Sequence, residues 1–337
     1  MNKRLLFLAP FVVACGSSSS DPAPAPSPAP ENNAAACTPV AASSETVHVK
    51  NDYGTLEGTL DVPEGCAGMP VVVILSGSGP QDRNGDTPGE TDKTDMYELL
   101  ARGLVEKGYA TLRFDDPGVA KSKTALPLDE SKIVYEMEVD AASKWTPLLR
   151  ADARFGKIVA AGHSQGSLTA ILLAERGAAD EVISLAGAGR PIDVVLREQL
   201  APKLTDDQLA KLDAALAKMK AGELAGPQDP PLDVLLRPSV QPYMISWMKY
   251  DPKAEIAKVT VPTLLVQGKT DVQVTVLDAN LLAEGKPDAT LDFIDDMCHV
   301  LKEAPKKDAS AQTAQYSDPS LPIHPALVPD IAAFLSP

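Results

Sequence analysis

The segment Gly162–Gly166, with the letters G-H-S-Q-G, constrains this chain more than any other part of it. A largely apolar run at 157–161 precedes the segment, and a helix-like run at 167–174 follows it. This order predicts a strand, a sharp turn and a helix, with Ser164 at the apex. By chance alone, a G-x-S-x-G pattern arises in a chain of this length on the order of one time in ten. An ordinary glycine-bounded turn is the alternative, but the flanking runs favour an exposed nucleophile on a strained turn.

The first 14 residues have the features of a signal peptide. Lys3 and Arg4 precede an apolar run that is too short to cross a bilayer as a helix. Small residues before Cys15 resemble a bacterial lipobox, which implies cleavage before that cysteine and lipid attachment to it. Gly16 then favours an outer-membrane anchor, facing the periplasm or the cell surface. An ordinary cleavage site with a chance cysteine is the alternative.

Composition divides the rest of the chain in two. Residues 15–44 are rich in Ser, Pro and Ala and are expected to form an extended tether. Residues 45–337 are sufficient for one large domain with an insertion.

Charge and hydropathy bear on the partners of the protein. The net charge of −15 argues against nucleic acid as a partner, and no later apolar run is long enough to span a membrane. Oligomeric state stays open.

Strand-like and helix-like runs alternate through the domain. A hairpin at 46–62 comes first, and a wholly apolar run at 71–75 indicates a strand buried on both faces of a sheet. A helix is expected from Asp95, which we take as its N-cap, to a stop at Gly108, and a further helix is expected near 135–149. The alternation predicts an α/β fold with a mostly parallel, doubly wound sheet.

The alternation breaks at about 190–255, and we expect a helical cap to be inserted there. Thr205 and Gln208 form a capping-box pattern at the start of an amphipathic helix. Tyr243 and Trp247 belong to a second apolar segment. For both aromatic residues, core packing is the simpler expectation than contact with a substrate.

A serine nucleophile needs a base and an orienting acid, and enzymes with this turn carry them in the order Ser, acid, His. The chain has four histidines. His299 follows a predicted strand and fits the order, with His324 as the alternative, whereas His163 lies inside the turn and His48 precedes it. Asp271 stands just after the strand at 263–267 and is the predicted acid. The fallback acids are Asp295 and Asp296.

A tetrahedral intermediate also needs backbone N–H donors for its oxyanion. Gln165, directly after the nucleophile, is one predicted donor, and Ser78 in the loop after the strand at 71–75 is the other. That loop lacks the pattern of a phosphate-binding loop. No Cys/His cluster has zinc-like spacing, and we expect no cofactor. Cys37 and Cys66 flank the first hairpin and are candidates for a single disulfide.

Four segments occur in order along the chain: the loop with letters L-S-G-S-G-P-Q-D-R-N at 75–84, the turn at 162–166, Q-G-K-T-D-V-Q-V at 267–274 and H-V-L at 299–301. Together they resemble bacterial α/β-hydrolase-fold esterases of the serine-aminopeptidase-like group, over roughly residues 45–337. The resemblance implies an eight-stranded core with a helical cap and carboxylesterase activity, usually on short acyl groups. By position it assigns Ser164, Asp271 and His299 as the triad.

One turn departs from the pattern of these relatives. They commonly carry a basic D-K-R-G segment where this chain has Asp115, Asp116 and Pro117. We expect Arg83 to pair with Asp116, and the change to bear on substrate preference rather than on the chemistry.

The predicted function is a serine carboxylesterase that acts on a small acyl ester through an acyl-enzyme intermediate. A peptidase or amidase using the same triad is one alternative, and it would need a pocket for an α-amino group. A non-catalytic surface-binding lipoprotein is the other.

Overall fold

A computed structural model describes residues 37–336. The predicted signal peptide, the lipidation site at Cys15 and most of the predicted tether lie outside these residues. Strand pairing begins at Pro39, which pairs with Cys66, so the predicted end of the tether at residue 44 is too late. No helix within 37–336 has the length and apolar character needed to cross a membrane. Cys37 and Cys66 form a disulfide, and Cys298 is a buried free thiol.

An eight-stranded sheet forms the centre of the described chain, with the order β10-β9-β8-β7-β5-β6-β3-β2. The hairpin β2–β3 and the pair β3–β6 are antiparallel, and the other neighbours are parallel. The predicted fold class is confirmed. The strands are β1 (Pro39–Val40), β2 (Ser43–Lys50), β3 (Thr55–Val62), β4 (Gly65–Cys66), β5 (Met69–Leu75), β6 (Ala110–Phe114), β7 (Phe155–His163), β8 (Glu181–Leu185), β9 (Thr263–Gly268) and β10 (Thr290–Ile294).

Helices cover both faces of this sheet. Alternate side chains of β5 enter different apolar clusters: Val71 and Val73 pack on one face, and Val72 and Ile74 on the other. Burial on both faces explains why this strand is an unbroken apolar run. The helices are α1 (Met96–Glu106), α2 (Glu136–Ser143), α3 (Trp145–Ala151), α4 (Gln165–Glu175), α5 (Ile192–Leu200), α6 (Asp206–Lys220), α7 (Leu232–Leu236), α8 (Gln241–Trp247), α9 (Pro252–Ile256), α10 (Val276–Gly285), α11 (Thr313–Ser317) and α12 (Leu327–Leu335).

Helices α5 to α8 lie in the segment where an inserted cap is expected, have an apolar cluster of their own, and are called the cap here. The Thr205 hydroxyl caps α6, and the Gln208 side chain returns to the Thr205 backbone as a capping box. Leu212, Leu216 and Met219 point from α6 into the cap cluster. Helix α9 begins at the end of the predicted insertion, and its last residue, Ile256, packs in the main core.

Two local predictions on the helices are wrong. Asp95 precedes α1 with a left-handed backbone (φ 47°), and its side chain makes no capping hydrogen bond. The Asp86 carboxylate instead accepts the backbone N–H groups of Thr94 and Asp95, which holds the chain as it enters α1. The single helix expected at 135–149 is divided into α2 and α3. Gly108 does end α1 as predicted, with φ of 91° and a bond to Val105.

Candidate active site

Ser164 lies on a strained turn between β7 and α4. Its φ of 53° and ψ of −116° are unfavourable for a residue with a side chain, and its N–H bonds the Leu185 carbonyl at 2.9 Å. The turn depends on two glycines. A Cβ atom at Gly162 would lie 2.0 Å from the Gly166 oxygen, and one at Gly166 would lie 2.4 Å from the Leu75 oxygen. No larger residue fits either position without moving backbone, which is the physical meaning of the G-x-S-x-G pattern.

Asp271 and His299 form a buried pair. His299 Nδ1 lies 2.8 Å from Asp271 Oδ2, and both residues are almost completely buried. Oδ1 of Asp271 accepts the backbone N–H groups of Gln273 at 2.7 Å and Val274 at 3.0 Å. Burial by itself raises the pKa of Asp271, but the adjacent His299 and these hydrogen bonds outweigh it and hold the pKa below its usual value.

An ionised carboxylate at Nδ1 fixes the state of the His299 ring. Since the carboxylate of Asp271 only accepts hydrogen bonds, Nδ1 of His299 carries the proton. The other nitrogen, Nε2, is then unprotonated in the neutral ring and is free to take a proton. Ser164 and His299 line the same cavity, of about 140 Å³.

The loop after β5 forms another wall of this cavity through Gly77 and Ser78. A Cβ atom at Gly77 would lie 3.3 Å from the Cβ of Ser164, so the loop backbone passes directly beside the serine. Within residues 37–336, no protein group accepts the backbone N–H of Ser78. Gln165 is the first residue of α4, and a helix leaves the first N–H groups without an intrahelical acceptor. Both predicted oxyanion donors therefore lie beside Ser164.

A larger cavity of about 580 Å³ adjoins the first at Ser78 and lies under the cap. Gln165 and Pro80 border it on the sheet side, and mostly apolar cap residues border it on the other. Tyr243 and Trp247 pack against the core, as expected, and they also line this cavity. The remaining apolar walls come from Val119, Leu126, Ile133, Ile192, Leu196, Val234, Leu235, Val240 and Met244.

Two half-buried acids, Glu138 and Asp116, line this cavity, and of the two Glu138 had no signal in the sequence. Glu138 accepts hydrogen bonds from the Tyr243 hydroxyl at 2.5 Å and from the side-chain amide of Gln165. Burial raises the pKa of Glu138 to about 7. Asp116 lies close by, accepts the Ser76 hydroxyl and the Gln81 N–H, and has a pKa raised well above its usual value, chiefly by burial.

The expected pairing of Arg83 with Asp116 is wrong. The Arg83 guanidinium bonds Asp115 through two nitrogens, at 2.8 and 2.7 Å, and Glu57 at 2.8 Å. Asp115 also accepts the backbone N–H groups of Arg83 and Lys121. Neighbouring residues at the end of a strand point in opposite directions. Asp115 therefore faces Arg83, and Asp116 faces the cavity.

Among the described residues, none of the other candidates forms a hydrogen bond or ion pair with the side chain of Asp271 or His299. Asp295 forms an exposed ion pair with Lys269 at 2.6 Å, and His48 pairs with Glu57 at the sheet edge. His324 lies at the start of the last helix, where its Nδ1 is 3.3 Å from the Ala326 N–H. The described part of the chain has no group of three or more His, Cys, Asp or Glu side chains able to hold a metal ion.

The family of serine aminopeptidases, S33, matches residues 87–304, which is more than half of the chain. The chain belongs to this family and has the α/β-hydrolase fold. Esterase EstD of Thermotoga maritima is 27% identical over 252 residues, a match that covers 73% of this chain. The chain spans only 58% of the length of that relative.

Solved esterases share the fold at low sequence identity. Est1E of Butyrivibrio proteoclasticus superposes with a TM-score of 0.53 and 17% identity, covering 86% of this chain and 98% of its own. The same esterase bound to ferulic acid gives a TM-score of 0.52 and 19% identity, with coverages of 80% and 96%. The esterase Pf2001 of Pyrococcus furiosus gives 0.52 and 14%, with coverages of 87% and 92%.

Proposed function

We propose that this protein is a serine carboxylesterase. Ser164 Oγ attacks the acyl carbonyl while His299 Nε2 takes the serine proton as general base. Asp271 holds the His299 ring in the required tautomer and stabilises the imidazolium that forms. His299 then gives the proton to the departing alcohol, and a water molecule activated in the same way hydrolyses the acyl-enzyme. The buried Asp271–His299 pair, in a cavity shared with a serine on a strained turn, carries this proposal.

The oxyanion of each tetrahedral intermediate is stabilised by the backbone N–H groups of Ser78 and Gln165. Donors that are already fixed need no reorganisation as charge develops, which is why such groups contribute strongly to catalysis. Ser78 borders both cavities, and Gln165 borders the larger one. We assign the larger cavity to the acyl group, since its walls are mainly apolar.

The names of the relatives support an ester rather than an amide substrate. Esterase EstD, Est1E and the Pyrococcus esterase are all named as esterases, and one Est1E structure contains ferulic acid. Short acyl groups stay our predicted substrates. The acyl cavity of about 580 Å³ falls within the roughly 300–1,000 Å³ that drug-sized ligands occupy, so it also has room for a longer or aromatic acyl group.

A fluorophosphonate probe tests the proposed nucleophile. Such a probe forms a covalent bond to an activated serine, so wild-type protein is expected to be labelled stoichiometrically and Ser164→Ala not at all. Ser167→Ala is a matched control, because Ser167 lies on the same helix with its hydroxyl on Ser184. Unlabelled wild type, or equal labelling of Ser164→Ala, would contradict the proposal.

Hydrolysis of amides by the same triad is the second candidate, favoured by the family description as serine aminopeptidases. The two half-buried acids Glu138 and Asp116 at the acyl cavity are suitable neighbours for an amino group. Matched pairs of nitrophenyl esters and nitroanilides with the same acyl group separate the two activities. An esterase turns over only the ester of each pair at a substantial rate, whereas a peptidase also cleaves the aminoacyl anilide.

We further propose that the protein is exported and anchored to the outer membrane by lipid on Cys15. The Cys37–Cys66 disulfide supports export, because disulfides persist in oxidising compartments. Fractionation of cells that express wild type or Cys15→Ala provides the test. Wild type is expected in the outer-membrane fraction and Cys15→Ala outside it. The same distribution for both would contradict anchoring at this residue.

A further inference from the structure

His163, which sequence reasoning left without a role, bridges two loops of the site. Its Nε2 lies 2.8 Å from the carbonyl oxygen of His299, and its Nδ1 lies 2.9 Å from the hydroxyl of Tyr97. The His163 and His299 rings also pack together, with centroids 4.8 Å apart. Both His163 and Tyr97 are buried. The side chain that directly precedes the nucleophile thus holds the backbone of the histidine proposed as its base.

The partners of His163 determine its tautomer. A carbonyl oxygen only accepts, so the proton of the neutral ring lies on Nε2 and is donated to His299. Burial, with a smaller contribution from His299, lowers the pKa of His163 to about 3. The ring therefore stays neutral at ordinary pH, and its Nδ1 is an acceptor. The Tyr97 hydroxyl must then donate its single proton to that nitrogen.

Tyr97 extends the chain of hydrogen bonds to the loop after β5. Its oxygen accepts the backbone N–H of Gly77 at 2.7 Å. The side-chain oxygen of Gln81 also lies 3.0 Å from this hydroxyl, but the only Tyr97 proton is committed to His163. Rotation of the Gln81 amide by half a turn presents its NH₂ group to the second lone pair and satisfies every partner. All donors then point the same way along the chain, an arrangement in which each bond strengthens the next.

The contacts around Gly77 leave little room for adjustment. A Cβ atom there would lie 3.2 Å from His163 Nδ1 and 3.6 Å from the Tyr97 hydroxyl. Gly77 directly precedes Ser78, the proposed oxyanion donor. The series Gly77–Tyr97–His163–His299 therefore connects the oxyanion loop, the nucleophile turn and the histidine loop through buried groups.

We propose that Tyr97 and His163 are positioning residues. They hold the Ser78 amide and the His299 ring at the positions relative to Ser164 that the reaction requires. The inference rests on the proposed esterase function. Neither side chain needs to touch the substrate or to exchange a proton during turnover. Their effect is geometric: a displacement on the order of 1 Å at a reacting group lowers a rate by up to about 100-fold.

Kinetics of Tyr97→Phe test the proposal, with Tyr109→Phe as the matched control. Both changes remove one hydroxyl, and among the described residues the Tyr109 hydroxyl bonds only the last helix and its end, at Ala332 and Ser336. For Tyr97→Phe we expect kcat on a nitrophenyl ester to fall roughly 10- to 100-fold with KM within about threefold of wild type. The rate of fluorophosphonate labelling should fall in the same proportion, since the phosphoryl oxygen needs the same donors. Unchanged kcat in Tyr97→Phe, or an equal loss in Tyr109→Phe, would overturn the proposal.

Two substitutions of His163 distinguish an effect on the position of His299 from a general loss of stability. His163→Gln retains an NH₂ donor for the His299 carbonyl, whereas His163→Ala removes it. We expect His163→Gln to recover part of the kcat lost in His163→Ala, at similar thermal stability. Equal kcat in the two variants would count against the bridge to His299.

A spectroscopic measurement tests the network independently of any activity. In protein with ¹⁵N-labelled histidine, His163 should remain neutral with its proton on Nε2 between pH 5 and 8, and its Nδ1 signal should shift in Tyr97→Phe. A His163 that titrates in this range, or that carries its proton on Nδ1, refutes the network. If the spectrum agrees but wild type neither turns over esters nor reacts with fluorophosphonate, the esterase proposal fails while the network stands.

Discussion

At the scale of single residues, the state of the site depends on what each buried group accepts or donates. The Asp271 carboxylate receives bonds from His299, from two backbone N–H groups and from the amide of Gln267 at 3.2 Å. Every one of these partners donates. The residue is therefore held as an anion, and it imposes one tautomer on His299.

Replacing Asp271 with asparagine tests whether Asp271 sets the tautomer of His299. Asparagine keeps an oxygen for the backbone N–H groups of Gln273 and Val274 and turns its NH₂ toward His299 Nδ1. The ring must then accept at Nδ1 and carry its proton on Nε2, where it cannot serve as a base. We expect kcat to fall by roughly 10³- to 10⁴-fold, as for other triads with the wrong tautomer.

The measurement is steady-state hydrolysis of a nitrophenyl ester, with thermal unfolding as the control for folding. Asp295→Asn is the matched variant, because within residues 37–336 that exposed acid pairs only with Lys269. It should retain the wild-type rate. If Asp271→Asn retains more than about a tenth of the wild-type kcat, Asp271 does not have the role proposed here.

At the scale of elements, the nucleophile turn is the junction of β7 and α4, and it is fixed by close backbone packing. Gly166 lies against the carbonyl oxygens of Leu75 and Ser76, at the end of β5. The turn thus packs closely against the neighbouring strand, and this packing compensates for the strained backbone of Ser164.

Gly166→Ala is expected to disrupt this junction. Its Cβ would lie 2.4 Å from two backbone oxygens, which have no means of moving away without displacing the strand. We expect loss of activity together with a loss of stability of several kcal/mol, comparable with the severe class of core substitutions. Chemical denaturation measures the stability.

Gly65→Ala is the control for this prediction. A Cβ atom there meets only the end of the Met69 side chain, at 3.6 Å, and its φ is not positive. This variant should match wild type in both stability and activity. A Gly166→Ala protein that is as stable and active as Gly65→Ala would contradict the packing argument.

The sequence predicted those elements that are decided locally. The turn at Ser164, the alternating strands and helices, the capping box at Thr205 and the stop at Gly108 all follow from neighbours within a few residues. Long-range partners were not predictable in this way. Tyr97 meets His163 from 66 positions away, and Tyr243 meets Glu138 from 105 positions away. Arg83 was assigned to the wrong aspartate because adjacent residues at a strand end look equivalent in the sequence.

At the scale of the whole molecule, Glu138 couples the sheet side of the acyl cavity to the cap through Gln165 and Tyr243. It also couples stability to pH. Burial raises the pKa of Glu138 to about 7 from an ordinary value of 4.5. Between these values the folded protein binds a proton that the unfolded chain releases, so stability falls as the pH rises from about 4.5 to 7. The residue keeps partial contact with solvent, which limits the effect to at most about 3 kcal/mol.

Glu138→Gln removes this ionisation and should change the pH profile of stability. Thermal unfolding of the variant and of wild type, measured from pH 5 to pH 8, gives the comparison. We expect the stability of Glu138→Gln relative to wild type to rise steadily with pH, since only wild type has to ionise a half-buried acid whose pKa is raised in the folded state. A relative stability that is constant or falls with pH would show that Glu138 is not protonated in the folded protein at pH 5 to 6.

The central claim is that Ser164 carries the acyl group during turnover. It is tested most directly by acid-quenching the enzyme during hydrolysis of an ester and locating the acyl mass by peptide mass spectrometry. The account predicts an acyl group on the peptide that contains Ser164, at the seryl oxygen, and none on that peptide in Ser164→Ala. Turnover at the wild-type rate by Ser164→Ala, or an acyl group that accumulates on a different residue, would contradict it.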